Sequence, residues 1–573
     1  MTELSSGIEV RGEKGGAKGR SIHATRRFEP GDIMARFNNP AVVLPPGPRA
    51  LEYCNQCLNQ QQEDVPATEK LRACTGCKTV AYCGPACQRA NWSVVHKVEC
   101  KAIQRLHKTK PADQPNWVPT PVRAAAQVML RPKVMEKFEE LEGNVESWQG
   151  IEMVKLQLQA RGVVMCLGGD ENSTDLLESA FQVLCKVRGV LRFTPPSRVY
   201  PVYANGAIQL QTNAFSVSED ETDGVYLDTT LAMMNHSCSP NAMVQFDGRL
   251  ASLRAMAFIE PGDEVEISYI DETQPKSKRH ENLRSYYFDC KCFKCIEDLD
   301  EYQIAQKDPR VARLNELSVT PDIERFKHPQ VADKDGLRQA IEVQKLLEMF
   351  PVQLRNMEPA AKHKWLRKAY KSASWFPTNG RWAIEPFAQL VDEAAVYFGK
   401  TLGNHECALA IACLTAYEVE PYKHPIPFHV ERIRGLSAIA TELSQTAPEP
   451  EKLVKLARDM AAKKKFSAAG VRVLADLDQV SMCQMVLSLI NSYKDRTPTV
   501  DWDGIMFRWM VAEIESLPGR DRENSLINAW IMDPKGMDQF FRYALVEPLK
   551  ALSELGKAVL EVDLGEDRDL SAY

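Results

Sequence analysis

Hydrophobic and polar positions alternate in two different ways along this chain, and each predicts a different kind of element. Ser21-Ile22-His23-Ala24 and Ile33-Met34-Ala35-Arg36-Phe37 read as short strands on either side of the turn Phe28-Glu29-Pro30-Gly31-Asp32. The turn recurs far downstream as Glu260-Pro261-Gly262-Asp263, so two ends of one β-rich domain are expected either side of an insertion. In the downstream part, Ala242–Phe246 and Arg249–Arg254 flank Asp247-Gly248, a hairpin signal. Glu264-Val265-Glu266-Ile267-Ser268-Tyr269 alternates at period two and so has one buried face.

Elsewhere the period is helical. Val122–Leu130 follows Pro121 and ends at Pro132. Leu176, Ala180, Val183 and Val187 recur at four-three-four spacing behind Ser173-Thr174, with Gly189 as a stop. From about residue 300 to 573 the pattern is helical throughout. Ala340, Val343, Leu347 and Phe350 mark one face, and Phe387, Val391, Ala394 and Phe398 another, with Gly399 placed to end it. Pro-rich breaks at Glu420-Pro421, Pro425-Ile426-Pro427 and Ala447-Pro448-Glu449-Pro450 separate hairpins, but no clean repeat of thirty-odd residues emerges. The fold class expected is α+β: a β-rich part carrying inserts, followed by an all-α array of helical hairpins.

Composition narrows the function. At 573 residues the chain is too long for one core. Its 44% hydrophobic and 26% charged content is that of a globular protein. A net charge of -6 gives no general attraction to nucleic acid or anionic lipid. No apolar run reaches the ~20 residues that span a bilayer. The first ten residues, MTELSSGIEV, hold no apolar signal core, which argues against secretion.

Without secretion, the 16 cysteines point to metal rather than disulfides. Eleven of the 16 fall in two clusters with ligand spacing. The first runs Cys54-x2-Cys57, Cys74-x2-Cys77, Cys83-x3-Cys87 and His96-x3-Cys100, eight ligands and so two tetrahedral zinc sites. A segment this size has too few apolar residues to fold without metal. The second is Cys290-x-Cys292-x2-Cys295, which with Cys238 supplies the four thiolates of a structural zinc site. Cys166, Cys185, Cys407, Cys413 and Cys483 stand singly among apolar residues and read as small core residues. Arg72, Lys78, Arg89, Lys97 and Lys101 read as a solvated face, as do the acidic run 218–223 and the basic runs Lys276-x-Lys278-Arg279 and Lys463-Lys464-Lys465.

Around Cys238 lies Asn235-His236-Ser237-Cys238-x-Pro240-Asn241, a polar turn whose Asn and His can bind a polar ligand. The spacing at 54–100 resembles the MYND zinc finger. The resemblance implies interleaved sites, Cys54, Cys57, Cys83 and Cys87 on one ion and Cys74, Cys77, His96 and Cys100 on the other. It also implies a protein-interaction module with possible Pro-rich peptide partners. The whole chain resembles the SET-and-MYND-domain lysine methyltransferases. That resemblance implies a split SET domain (1–50 and 198–275), a MYND finger (51–102), a helical insert (103–197), a post-SET zinc segment (276–298) and a TPR-like helical domain (299–573).

It further implies S-adenosyl-L-methionine and three zinc ions as cofactors, and a lysine-bearing protein as substrate, histone or non-histone. Asn235 and His236 then hold the cofactor, with Lys18, Gly19 and Arg20 from the Gly-rich loop and Asn213 beside it. Gly262-Asp263-Glu264-x4-Tyr269 matches the second SET motif, so Tyr269 is the catalytic residue and also meets the cofactor. Phe215, Tyr269 and Tyr286 wall the substrate channel, and Tyr286 and Phe288 cover the cofactor. Ser21 stands where a Gly commonly follows the Arg of the first loop. Glu264 and Glu266 read as solvent-face strand residues. The rival expectation is an interaction scaffold and transcriptional co-regulator with a weak SET core. The chain is expected to act as a monomer and chromatin regulator in cytoplasm and nucleus, away from membranes and without nucleic acid.

Overall fold

The computed structural model describes residues 7–12, 20–45, 47, 49–58, 70–109, 118–139, 160–169, 173–188, 192–193, 224–247, 249–286, 288–305, 307–321, 332–348, 357–497 and 521–566. Lys18, Gly19, Asn213, Phe215 and the acidic run 218–223 lie outside these residues. The chain divides into two units. One comprises Met1–Val199, Ile208–Glu272 and Lys276–Cys295, and the other is mainly Ile296–Tyr573.

In the first unit β1 (Ile8–Arg11) pairs antiparallel with β2 (Ser21–Ala24). β3 (Ile33–Phe37) is followed by β4 (Val42–Leu44), and the finger then begins. Two small strands, β5 (Arg72–Ala73) and β6 (Ala81–Tyr82), belong to the finger. Beyond it come β7 (Arg192–Phe193), β8 (Gly224–Leu227) and β9 (Asn235–His236), then β10 (Ala242–Asp247), β11 (Leu250–Ala255) and β12 (Glu266–Ile267). The β10–β11 hairpin extends directly onto β3, and β4 pairs with β8. Strands before the finger therefore share sheets with strands after it, as the repeated turn predicts.

The repeated turn is a structural twin. Glu29 N donates to Asp32 Oδ2 at 2.9 Å, and Glu260 N to Asp263 Oδ2 at 2.8 Å. Gly31 and Gly262 take φ of 96° and 94°, a region open to Gly. Phe28 and Ile259 exchange backbone bonds and hold the two turns side by side. The hairpin turn falls one residue later than expected, because Asp247 pairs with Leu250. Apolar residues Ile22, Phe28, Met34, Val244, Leu253 and Ile267 fill this β core.

The finger's helix α1 (Pro85–Asn91) runs through a π turn (Trp92–His96) into α2 (Lys97–Thr109). The insert supplies α3 (Thr120–Met129), which packs with the helix Thr174–Arg188. Of the predicted face of that second helix, Ala180 and Val183 are buried. Gly189 lies outside the described residues.

The second unit is helical. His405–Leu414, buried from Glu406 onward, lies at its centre against Glu547–Leu560. Contact is close because Gly556 has no side chain: a Cβ there would sit 2.4 Å from the Ala410 carbonyl oxygen. Phe387, Val391, Ala394 and Phe398 are all buried, as their spacing predicts. Gly399 does not end that helix. A π turn carries it on through Tyr397–Thr401, and Gly403, at φ 67°, follows it. Gly399 instead sits where an added Cβ would crowd Ala408 and Glu442 at 3.2 Å. Among the described residues no single helix is long and apolar enough to cross a membrane. The helices Ala468–Asp476 and Gln479–Ser492 meet that length and composition only as a pair bent by 83°.

Candidate functional site

The two cysteine clusters come together as three ligand sets. Cys54, Cys57, Cys83 and Cys87 form one, Cys74, Cys77, His96 and Cys100 the second, and Cys238, Cys290, Cys292 and Cys295 the third. In each set the ligand atoms lie within 4.8 Å of one another. A tetrahedron with metal–sulfur bonds of about 2.3 Å has edges of about 3.8 Å. The observed separations are 3.8 Å for Cys57–Cys83, 3.5 Å for Cys83–Cys87, 3.9 Å for Cys74–Cys100 and 3.7 Å for Cys77 Sγ to His96 Nε2. The sets fit zinc, in the interleaved grouping expected. Arg72, Lys78, Arg89, Lys97 and Lys101 are exposed on this finger.

The second set continues into a buried polar network that spacing alone does not reveal. Glu99 Oε2 lies 2.8 Å from His96 Nδ1, which fixes the ring with Nε2 toward the metal position. Arg123 and Gln127 of α3 donate to the same carboxylate at 2.8 and 2.6 Å. Arg123 also donates to Asn55 Oδ1 at 2.7 Å, inside the first hook of the other set, and Asn55 donates to Asn91 at 2.9 Å. Burial alone would push the Glu99 carboxyl up, but Arg123 and His96 hold it well below the usual carboxylate range. The finger is thus keyed to the insert by a charge pair enclosed on both sides.

The third set closes beside the β core. Arg279, from the helix Lys276–Leu283, is buried and directs Nη2 at Cys295 Sγ, 3.6 Å away. The basic run at 276–279 is therefore not a solvated face throughout: its Arg offsets thiolate charge. Lys465 of the other basic run pairs with Glu561 and Glu566.

β9 and β12 pair in parallel, Asn235 opposite Glu266 and His236 opposite Ile267. The pairing brings the turn 235–241 against the strand leading to Tyr269. His236 and Tyr269 rings stand 5.2 Å apart, Tyr269 and Tyr286 5.0 Å, and His236 and Phe288 5.7 Å. Tyr286 donates to the Tyr269 carbonyl at 3.1 Å. Tyr269 donates its hydroxyl to the Met234 carbonyl. Burial, then Glu266 and Glu264, pushes the Tyr269 phenol far above its ordinary value, so it stays protonated. Burial also pulls His236 down to about 4, against the pull of Cys292, and the ring is neutral near pH 7.

Two residues of the site escaped sequence reasoning. Glu264 is not simply a solvent-face residue: it accepts from Asn235 Nδ2 at 2.7 Å. Asn241 donates to the Glu264 carbonyl at 2.8 Å and accepts from the Glu266 amide at 2.9 Å. Asn241 stands in the quoted motif, and that was its only signal. Ser21 directs its hydroxyl at His23 Nε2, 2.9 Å away, and His23 Nδ1 donates to the Gly262 carbonyl at 2.9 Å. The side chain at this departure thus supports the His23 ring, and His23 straps β2 to the second twin turn. Arg20 lies immediately ahead of β2.

The described first unit is thus a β-rich core interrupted by a finger with two ligand sets and joined to a third set of four cysteines. Residues 54–100 match the family model of the MYND finger. The chain is 30% identical over 312 residues to the N-lysine methyltransferase SMYD2 of Mus musculus, covering 54% of this chain and 63% of that protein. It is 28% identical to the N-lysine methyltransferase SMYD2 of Homo sapiens over the same shares, and 30% identical to SMYD2-A of Xenopus laevis over 53% and 63%. The chain is SMYD-like, and it spans just under two thirds of the length of these relatives.

Proposed function

We propose that the protein is an S-adenosylmethionine-dependent protein-lysine N-methyltransferase, acting on histone or non-histone lysines. The observation that carries this is the parallel β9–β12 pairing, which sets His236 against Tyr269 beside Tyr286 and Phe288, in a relative of N-lysine methyltransferases. When bound, the cofactor supplies a methyl group on a sulfonium, and transfer to an amine is a one-step in-line displacement. The chain's own task is to hold both partners and keep the amine neutral.

A free lysine has a pKa near ~10.4, so at pH 7 about one in 2,500 is neutral, and restoring that form costs about 4.6 kcal/mol. Aromatic walls such as Tyr269 and Tyr286 reduce this by disfavouring the ammonium. Tyr269 orients the amine rather than taking its proton. Its hydroxyl hydrogen is already given to Met234, and phenolate is disfavoured by burial. Alignment supplies the remaining acceleration. Arg20, with Lys18, Gly19 and Asn213, contributes to the cofactor cradle in this reading, beside Asn235 and His236.

The test pairs calorimetric binding of S-adenosylmethionine with a labelled-methyl assay on protein substrates. Tyr269→Phe is expected to bind cofactor within about twofold of wild type and to transfer methyl at least about tenfold more slowly. Wild-type protein that binds no cofactor leaves the scaffold reading instead.

A further inference from the structure

His236 is engaged on both sides of its ring. The backbone amide of Tyr269 meets Nδ1 at 2.9 Å, and Nε2 lies 3.2 Å from Cys238 Sγ. An amide N–H only donates, so Nδ1 must accept and the proton of the neutral ring sits on Nε2. That N–H points at Cys238, whose sulfur belongs to the third ligand set. A metal-bound Cys is a thiolate, an acceptor with no hydrogen of its own. The tautomer that serves Tyr269 is thus the one that a metal-bound Cys238 requires. A thiol at Cys238 imposes no such choice, because it can donate as well as accept.

We propose that His236 is a positioning residue that links the metal state of the Cys238 centre to the placement of Tyr269. His236 is then left its ring face and its backbone to offer the cofactor, since both ring nitrogens are committed within the protein. The role given to Tyr269 rests on the methyltransferase reading; the bond to the metal ligand does not.

Two conservative variants divide the ring's functions. His236→Gln can keep a donor near the Nε2 position, and His236→Asn an acceptor near the Nδ1 position. Zinc release from the full chain to a chromophoric chelator is followed for each. In His236→Asn one of the three ions is expected to bind about ten- to a hundredfold more weakly, the usual effect of losing a ligand's outer partner. His236→Gln is expected to retain that ion as wild type does while losing methyl-transfer rate, a split that general misfolding does not produce. Wild-type zinc retention in His236→Asn overturns the proposal.

Where either variant fails to fold, the wild type carries the test. With histidines 15N-labelled in the zinc-loaded protein, His236 is expected as the Nε2–H tautomer, and the Nδ1–H tautomer overturns the link. A wild type that binds no S-adenosylmethionine refutes the methyltransferase reading but leaves the zinc and tautomer results standing on their own.

Discussion

Asn241 donates to one backbone group and accepts from another, two residues apart on the strand that leads to Tyr269. Replacing it by Ala leaves the Glu266 amide and the Glu264 carbonyl without their partner. The expected loss is about 1–3 kcal/mol in denaturant unfolding, together with weaker cofactor binding. A change in stability without a change in binding would separate the strand's register from the site.

Asp392 shows a second residue-scale effect, in the helical unit. Burial raises its carboxyl to about 7; Lys423 and the Thr415 hydroxyl oppose the rise, and Glu385 and Glu393 add to it. A carboxyl raised on folding contributes stability that is complete below its unfolded pKa and is lost as pH rises through the folded one. The window runs from about pH 4 to somewhat above 7. Asp392→Asn is therefore expected to raise the melting temperature at pH 8.5, by an amount that shrinks steadily as the pH is lowered toward 4. The sequence carried no hint of this, because nothing in the periodicity of 387–398 says which acids face inward.

At the scale of elements, ligand spacing was legible and partnership was not. C-x2-C hooks must bind one ion locally, so the ligands could be read from the chain, while their interleaved grouping came only from the resemblance to the MYND finger. The Glu99–Arg123 pair joins α2 to α3 across 24 positions, and no local rule encodes that contact. The alternation of 264–269 was legible, but its parallel pairing with β9 was hidden for the same reason: the ladder joins residues some thirty positions apart and is only two residues long. Gly399 misled because a glycine after an apolar face usually caps a helix, whereas here it admits Ala408 and Glu442. The energetic consequence is clearest for Arg123. Arg123→Leu strands the Glu99 charge in a buried site, at an expected cost of about 3–5 kcal/mol. Adding Glu99→Gln should recover part of that loss, because the amide needs no counter-charge. Unfolding curves of the two single variants and the pair check it as a double-mutant cycle.

At the scale of the whole molecule, the two units are stabilised by different means. The helical unit has a broad apolar core running from Tyr302 to Leu564, and no ligand set was found in it among the described residues. Its helices were legible from period 3.6, but the central one was not. From Glu406 to Leu414 that helix is buried all round, and such a helix has no solvent-facing side to mark its period. The finger, in contrast, places three of its cysteine ligands, Cys57, Cys83 and Cys87, at or near the surface. Metal is what holds it. Chelation of the full chain is therefore expected to remove hydrogen-exchange protection from 70–109 and from 288–295 while leaving His405–Leu414 and Glu547–Leu560 protected. Equal loss of protection in both units would mean that the helical core also depends on the ions, contrary to its composition.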